Sequence, residues 1–187
     1  MIPGTITTRI TYHDLRAMPD DGKQYEVIDG ELYVKPSPIT KHQIAVVNLS
    51  YAFQQYVRTH RGARSFVAPF DVVLADDVMV QPDVFVILSE RESIIGPTHV
   101  EGPPHIVVEV LSESSRRKDE IIKRQIYDRF GVDEYWVVDP EIDLVKIYRR
   151  SGKSFVRVAE ISTEAGGVIT TPLLPAFELP IEDVFAV

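Results

Sequence analysis

Apolar and polar positions alternate along several short stretches of the chain, and these stretches predict β-strands. In YEVIDGELYV, residues 25–34, alternating apolar residues flank Asp29-Gly30, a dipeptide typical of tight hairpin turns. LVKIYRR and SFVRVAE flank Ser151-Gly152 in a similar way. The pattern therefore predicts one β-hairpin near the N-terminus and another near the C-terminus.

Between the hairpins, two segments have the 3.6-residue period of helices. One predicted helix has Ser37 as its candidate N-cap and runs to about His60. The other spans about 115–130 and stops at Gly131, a candidate left-handed residue. Further strands are predicted within residues 65–88 and at 105–111 and 133–139. This order of helices and strands predicts an α/β or α+β fold with a central mixed sheet flanked by helices.

One charged residue interrupts the most apolar of these strands. In PPHIVVEVLSESS, residues 103–115, Glu109 stands among isoleucine, valine and leucine positions that read as buried on both faces. An ionised carboxylate in an apolar layer is costly unless another group pairs with it. Glu109 is therefore the first candidate for a functional residue.

Two further residues are placed so that they could meet Glu109. Asp83 follows Pro82 where a strand begins, and the proline fixes how the chain enters that strand. At 100° per residue, Lys123 lies near the apolar face of the second predicted helix, so it points partly toward the sheet. Lys123 could belong to a site, could form a structural ion pair with Glu109, or could pair with Asp119 along the helix.

Composition limits the kind of site that these residues could form. The chain of 187 residues has no cysteine, which excludes disulfides and thiolate metal ligands. No apolar run approaches the ~20 residues of a membrane span, and the first residues lack a signal pattern, so a cytoplasmic location is expected. The net charge of -8 argues against broad, non-specific coating of nucleic acid, but it suits a site that gathers carboxylates around a metal cation.

The candidate residues resemble a known nuclease signature. Asp83 after Pro82, then Glu109, then a lysine are similar to the PD-(D/E)XK motif, except that Leu111 stands where that motif has its lysine. The wider order of segments resembles the Uma-two family of restriction-endonuclease-like proteins over about residues 7–185. The segments that carry this resemblance are YEVIDGELYVKPSP, HQIAVVNL, QPDVFVI, VVEVLSESS, DEIIKRQIYDRFGVDEYWVVDP and LPAFELPIEDVF.

The resemblance implies a single restriction-endonuclease-like domain over residues 1–187 and a variant in which Lys123 has taken the role of the missing lysine. It implies that Asp83, Glu109 and the backbone carbonyl of Val110 bind Mg²⁺ or Mn²⁺. Asp83, Glu109 and Lys123 are then the expected catalytic residues of a DNA endonuclease that acts as a homodimer.

Secondary candidates lie before and within the first helix. A glutamate from the N-terminal hairpin often completes such a site, and Glu31 is preferred over Glu26 because it lies closer to the helix start. His42 is either a core histidine or a site residue. A basic cluster near the start of the second helix is either a solvated helix end or a clamp for phosphates; its members are Arg116, Arg117, Lys118 and Arg124.

Two other functions remain open at this point. The chain could be a non-catalytic nucleic-acid-binding or accessory module that keeps the fold, or a structural homo-oligomer with a vestigial ion pair. The retention of Asp83, Glu109 and Lys123 together favours the nuclease. The low basic content and the lack of a recognisable specificity motif weaken it.

Overall fold

Two mixed sheets organise the protein in the computed structural model, which describes residues 9–113 and 116–187. The strands in chain order are β1 (Gln24–Ile28), β2 (Glu31–Lys35), β3 (Ala63–Val67), β4 (Asp71–Ala75), β5 (Val78–Val80), β6 (Val84–Leu88), β7 (His99–Glu101), β8 (Ile106–Val110), β9 (Glu134–Asp139), β10 (Leu144–Ser151), β11 (Ser154–Ser162), β12 (Val168–Ile169) and β13 (Leu179–Pro180). The α-helices are α1 (Tyr12–Ala17), α2 (Thr40–Thr59), α3 (Arg124–Phe130) and α4 (Ile181–Phe185). A 3₁₀ helix at Ser89–Ile94 and a π-helical turn at Lys118–Lys123 complete the described elements.

The larger sheet has six strands in the order β11-β10-β9-β8-β6-β3, and the smaller has five in the order β2-β1-β5-β4-β7. Only β8–β9 and β4–β7 are parallel among these described pairs. The structure thus confirms the mixed α+β fold. It also shows that the N-terminal hairpin belongs to a second sheet, which the sequence pattern did not predict.

Both predicted hairpins are confirmed. Asp29 and Gly30 have φ values of 51° and 81°, as a tight turn between twisted strands requires, and β1 pairs with β2. Gly152 has a φ of 64° between β10 and β11. Between them, residues 65–88 contribute to four strands rather than two or three, because the chain leaves the larger sheet after β3, forms β4 and β5 in the smaller one, and returns as β6.

The predicted helices differ from the observed ones at their starts. α2 begins at Thr40 after Ile39, which gives no side-chain cap, so Ser37 is not the N-cap. The second helix ends at Gly131 with a φ of 85°, as predicted, but residues Lys118–Lys123 within it form a π-helical turn. Its predicted start at residue 115 lies outside the described residues.

The six-stranded sheet has a different core on each face. The period-two alternation of β8 turns Val108 and Val110 toward α2 and the C-terminal segment 168–185. The alternate residues Val107 and Leu111 face α3 and the five-stranded sheet. Glu109 shares this second face, so its side chain points into the space between the two sheets. No helix among the described residues is long and apolar enough to cross a membrane.

Candidate active site

Asp83 and Glu109 project from neighbouring strands toward the same side of the sheet. The antiparallel register pairs Val84 of β6 with Val108 of β8, and one further step places Asp83 opposite Glu109. Directly opposed residues of an antiparallel pair have their side chains on one face. A hydrogen bond from the backbone N–H of Val110 to Oδ2 of Asp83, 2.9 Å long, fixes the two strand ends together.

The Asp83 carboxylate contacts one side chain from the five-stranded sheet and one from α2. His42 Nε2 lies 3.2 Å from Asp83 Oδ2, and Lys35 Nζ lies 3.4 Å from Oδ1. Burial opposes ionisation of Asp83, but the hydrogen bond from His42 and the charge of Lys35 outweigh it and lower the pKa of Asp83 to about 2. Asp83 is therefore a carboxylate across the whole physiological range.

The pKa of Glu109 is shifted in the opposite direction from that of Asp83. It is 2% exposed, and burial raises the pKa of its carboxyl to about 8 although the charge of Lys123 counteracts this. Lys123 Nζ and the hydroxyl of Tyr127 donate to the same oxygen, Oε1, at 2.9 and 2.6 Å. No described residue donates to Oε2. Glu109 thus has one oxygen fixed by the protein and one available to a ligand.

Lys123 is the centre of a buried ion cluster. Its ammonium lies 2.7 Å from Glu26 Oε1, 2.9 Å from Glu109 Oε1 and 3.5 Å from Asp119 Oδ1, and the residue is 1% exposed. Burial opposes the charge of Lys123, but Glu109 and Glu26 outweigh it and raise the pKa of Lys123 well above its usual value. The structure therefore brings Lys123 to Glu109, as the helical pattern predicted, and it shows the Asp119 pairing as well.

A second lysine binds the same cluster because the helix locally widens. In the π-helical turn Lys118–Lys123, residues five apart share one side of the helix. Lys118 Nζ lies 2.9 Å from Glu26 Oε2, while Lys123 holds Glu26 Oε1. The two lysines outweigh the burial of Glu26 and lower its pKa to about 2.

The preference for Glu31 over Glu26 is corrected by this geometry. The two share a face of the hairpin, since the register pairs Glu26 with Tyr33 and Ile28 with Glu31. Glu31, however, stands beside the turn, is exposed and accepts a hydrogen bond from Tyr33. Glu26 is fully buried two register pairs further from the turn, where its carboxylate contacts Lys123. Closeness to the helix in sequence was the wrong criterion, because depth between the sheets decides which glutamate reaches the site.

His42 lies at the site rather than in the core alone. It is 9% exposed, and its Nδ1 is buried and makes no hydrogen bond with a described residue. A donor on a water or a substrate would satisfy this atom.

The basic cluster is mostly engaged within the protein. Arg116 makes a bidentate pair with the buried Asp139, with bonds of 2.5 and 2.9 Å. Lys118 binds Glu26, and the guanidinium of Arg124 stacks 5.0 Å above the ring of Tyr148. Only Arg117 is exposed in this group. The structure therefore contradicts a free phosphate clamp of four residues, because three of these side chains neutralise or cover internal groups.

Two residues of the site were missed from the sequence. Lys35 donates to Gln81 O at 2.7 Å and reaches Asp83, and Tyr127 orients Glu109. Tyr127 follows Lys123 by one helical turn, which was a usable signal. Lys35 had no such signal, because the contact depends on how the two sheets pack.

Several of these groups line one cavity of about 660 Å³, whereas Glu26 and Tyr127 lie behind its lining. Its floor is formed by Asp83, Glu109 and Lys123, and its walls include His42 from the start of α2. The buried charges are thus accessible to a ligand from one side.

The cavity lining includes carboxylate oxygens, the donor type that hard divalent cations prefer. Asp83 and Glu109 supply carboxylate oxygens, the free Oε2 of Glu109 faces no described donor, and Val110 adds a carbonyl as the implied third ligand. The described residues contain no group of three or more acidic, histidine or cysteine side chains arranged as ligands. The predicted set differs from such a group because its third donor is a backbone oxygen, and Mg²⁺ commonly completes its shell with water.

The sequence matches a known family over most of its length. Residues 11–182 match the model of the Uma2 family, which is described as "Putative restriction endonuclease". No curated protein matches the sequence. The family match confirms the resemblance drawn from the ordered motifs.

A solved structure has the same fold. A crystal structure from Anabaena variabilis, described as a "putative nuclease belonging to DUF820", superposes with a TM-score of 0.78 and 20% sequence identity. The match covers 95% of this chain and 98% of that chain. At this identity the likeness establishes the fold alone.

Proposed function

The chain belongs to the Uma2 family of restriction-endonuclease-like proteins, and on this premise we propose that it is a metal-dependent nuclease that hydrolyses phosphodiester bonds in DNA. One observation carries the proposal. Glu109, buried in an apolar strand, has its Oε1 fixed by Lys123 and Tyr127, while its Oε2 has no described donor at a cavity that Asp83 also lines.

Asp83, Glu109 and the carbonyl of Val110 would hold Mg²⁺ or Mn²⁺. When bound, such an ion polarises a phosphate and lowers the pKa of a water molecule. The remaining work belongs to the chain. His42 and Lys35 keep Asp83 ionised and in place, and Tyr127 fixes the rotamer of Glu109.

Lys123 has the role of the charged partner of the reacting phosphate. Its ammonium is within hydrogen-bond distance of Glu109 and lines the cavity floor, where it would stabilise negative charge that develops on a phosphate oxygen. Glu26 and Asp119 hold the ammonium, so it has little freedom to reorient. His42 Nδ1 is buried, has no described hydrogen-bond partner and is suited to receive a hydrogen bond from a water.

A homodimer is part of the proposal when the substrate is duplex DNA. Each chain has one candidate site, and two copies related by a two-fold axis would cut both strands. Sedimentation at micromolar concentration measures this directly.

Calorimetric titration with Mn²⁺ and nicking of supercoiled plasmid test the function. The wild-type chain should bind Mn²⁺ and nick the plasmid, and Glu109→Gln should lose both, with at least about a hundredfold lower rate. Glu31→Gln is the matched control, since it changes a glutamate of the same hairpin face outside the cluster, and it should retain both. Absence of binding and nicking in the wild-type chain would leave the accessory or structural alternatives.

A further inference from the structure

The residues of the candidate site are almost fully buried. Asp83, Glu109 and Lys123 are 6%, 2% and 1% exposed and form the floor of the cavity. At about 660 Å³ the cavity has the size of sites for small molecules, and a group the size of one or two nucleotides fits it. A strand that is separated from its partner would reach this floor more readily than an intact duplex would.

Exposed apolar and aromatic side chains line part of the cavity, beside polar ones such as Gln43 and Gln55. Val47 and Tyr51 occupy one face of α2, one helical turn apart, and are 60% and 64% exposed. Val67, 44% exposed, lines the cavity with them. Bases of a single strand have exposed faces that stack on such side chains, whereas a duplex buries those faces within its own stack.

The same face of α2 also carries a positively charged side chain. Arg58 lies two turns after Tyr51, about 10 Å along α2, and lines the same cavity. It is exposed and forms no ion pair or hydrogen bond with a described residue, unlike Lys35 and Lys118 at the floor. In a chain with a net charge of -8, this free guanidinium at the mouth is a specific attraction for a phosphate.

We propose that this site takes single-stranded nucleic acid, with a base stacked on Tyr51 and a backbone phosphate bound by Arg58. The inference rests on the proposed function, because it names the substrate class of the same site. A single-stranded substrate needs one site only, so it does not depend on a dimer.

Fluorescence of 2-aminopurine tests the stacking without any cleavage. The wild-type chain is mixed, in EDTA, with a single-stranded oligonucleotide that contains 2-aminopurine, and separately with the duplex of the same sequence. Binding to the single strand should quench the fluorescence and be at least about tenfold tighter than binding to the duplex. Tyr51→Ala should weaken binding to the single strand about tenfold and remove the quenching, while Tyr51→Phe should keep both.

Two further variants separate stacking from charge and from general surface effects. Arg58→Gln should reduce the slope of log affinity against log salt by about 0.7, the value for one phosphate contact on a single strand. Val156→Ala removes an exposed apolar side chain from β11, outside the cavity, and should change neither quenching nor affinity.

Each result separates this inference from the proposed function. Single-strand binding that depends on Tyr51, without cleavage of any nucleic acid in Mg²⁺ or Mn²⁺, would support the inference and contradict the nuclease. Equal binding and cleavage of duplex and single strand, unchanged in Tyr51→Ala, would overturn the inference and keep the nuclease. A dimer that dissociates in Tyr51→Ala, with no change in 2-aminopurine fluorescence, would also overturn it, because a second copy would then cover this face of α2.

Discussion

The parallel strands β8 and β9 have a buried glutamate at each end of the pair, and the two glutamates differ in what surrounds them. At the start of β9, Glu134 is fully buried and accepts hydrogen bonds at both oxygens. Arg149 Nε and Thr171 donate to Oε1 at 2.6 and 2.9 Å, and Trp136 donates to Oε2 at 2.9 Å. Near the end of β8, Glu109 has described donors on one oxygen only and lines a cavity.

Burial of a carboxylate does not by itself indicate a functional site, as these two glutamates show. Glu134 joins β9 to β10 and to the C-terminal segment through Thr171, so its role is to stabilise the fold. Glu109 has a pKa raised to about 8 and an oxygen without a described donor. The useful criterion is therefore how completely the protein satisfies the group, together with access from a cavity.

The largest loss of stability is expected for a substitution of Lys123, because Lys123 is the buried cation beside Glu109. Helix propensity alone predicts that Lys123→Ala leaves the fold nearly intact. The structure predicts instead a loss of about 3–5 kcal/mol in the free energy of unfolding, because Glu26, Glu109 and Asp119 would lose their buried partner. Urea denaturation measures it, with Arg124→Ala as the neighbouring control that loses only a cation–π contact of about 0.5–1 kcal/mol. Equal losses in both variants would contradict the central role of Lys123.

Substitution of each glutamate by glutamine should have opposite effects on stability and on Mn²⁺ affinity. Glu134→Gln should cost about 1–3 kcal/mol of unfolding free energy, since Arg149 loses its charged acceptor and an amide N–H₂ would face a donor. It should leave the Mn²⁺ affinity unchanged. Glu109→Gln should do the reverse, with a smaller change in stability at pH 7 and loss of Mn²⁺ binding, because burial raises the pKa of Glu109 and so favours its neutral form. Denaturation and calorimetry on both variants measure the contrast, and loss of metal binding in Glu134→Gln would break it.

The smallest expected effect is a pH dependence of the Mn²⁺ affinity, which arises from Glu109 and not from Asp83. A cation must displace a proton from Glu109 at any pH below its pKa of about 8, whereas Asp83, with a pKa of about 2, is already ionised. The Mn²⁺ affinity should therefore rise about tenfold, or ~1.4 kcal/mol, between pH 6 and pH 7 and level off above pH 8. Calorimetry at several pH values measures this, and buffers of different ionisation enthalpy should report about one proton released at pH 7. An affinity that stays constant from pH 6 to pH 9 would contradict it.

Patterns that depend on one segment were predictable from the sequence. Period-two alternation predicted both hairpins, a continuous apolar run predicted β8, and the single charge in that run identified Glu109. Lys123 was placed correctly although its helix is locally a π-helix, because it is the residue next to the apolar stripe. The order of helices and strands predicted the mixed fold.

Features that depend on packing between segments were not predictable. The choice between Glu26 and Glu31 depends on how far the hairpin extends between the two sheets. Lys118 appeared solvated because a period of 100° per residue turns it away from Lys123, whereas the π-helical turn brings both lysines onto Glu26. Arg116 appeared free because nothing in the sequence pairs it with Asp139.

The same ion cluster also has a consequence for how the protein matures. Glu26 comes from the hairpin of the smaller sheet, Glu109 from the larger sheet, and Lys123 from the helical segment between β8 and β9. These contacts join residues far apart in the chain, and contacts of large sequence separation form late in folding. Newly synthesised or partly folded chains therefore lack a formed site until both sheets have docked. Formation of the buried ion pair between Lys123 and Glu26 during refolding would therefore mark the docking step.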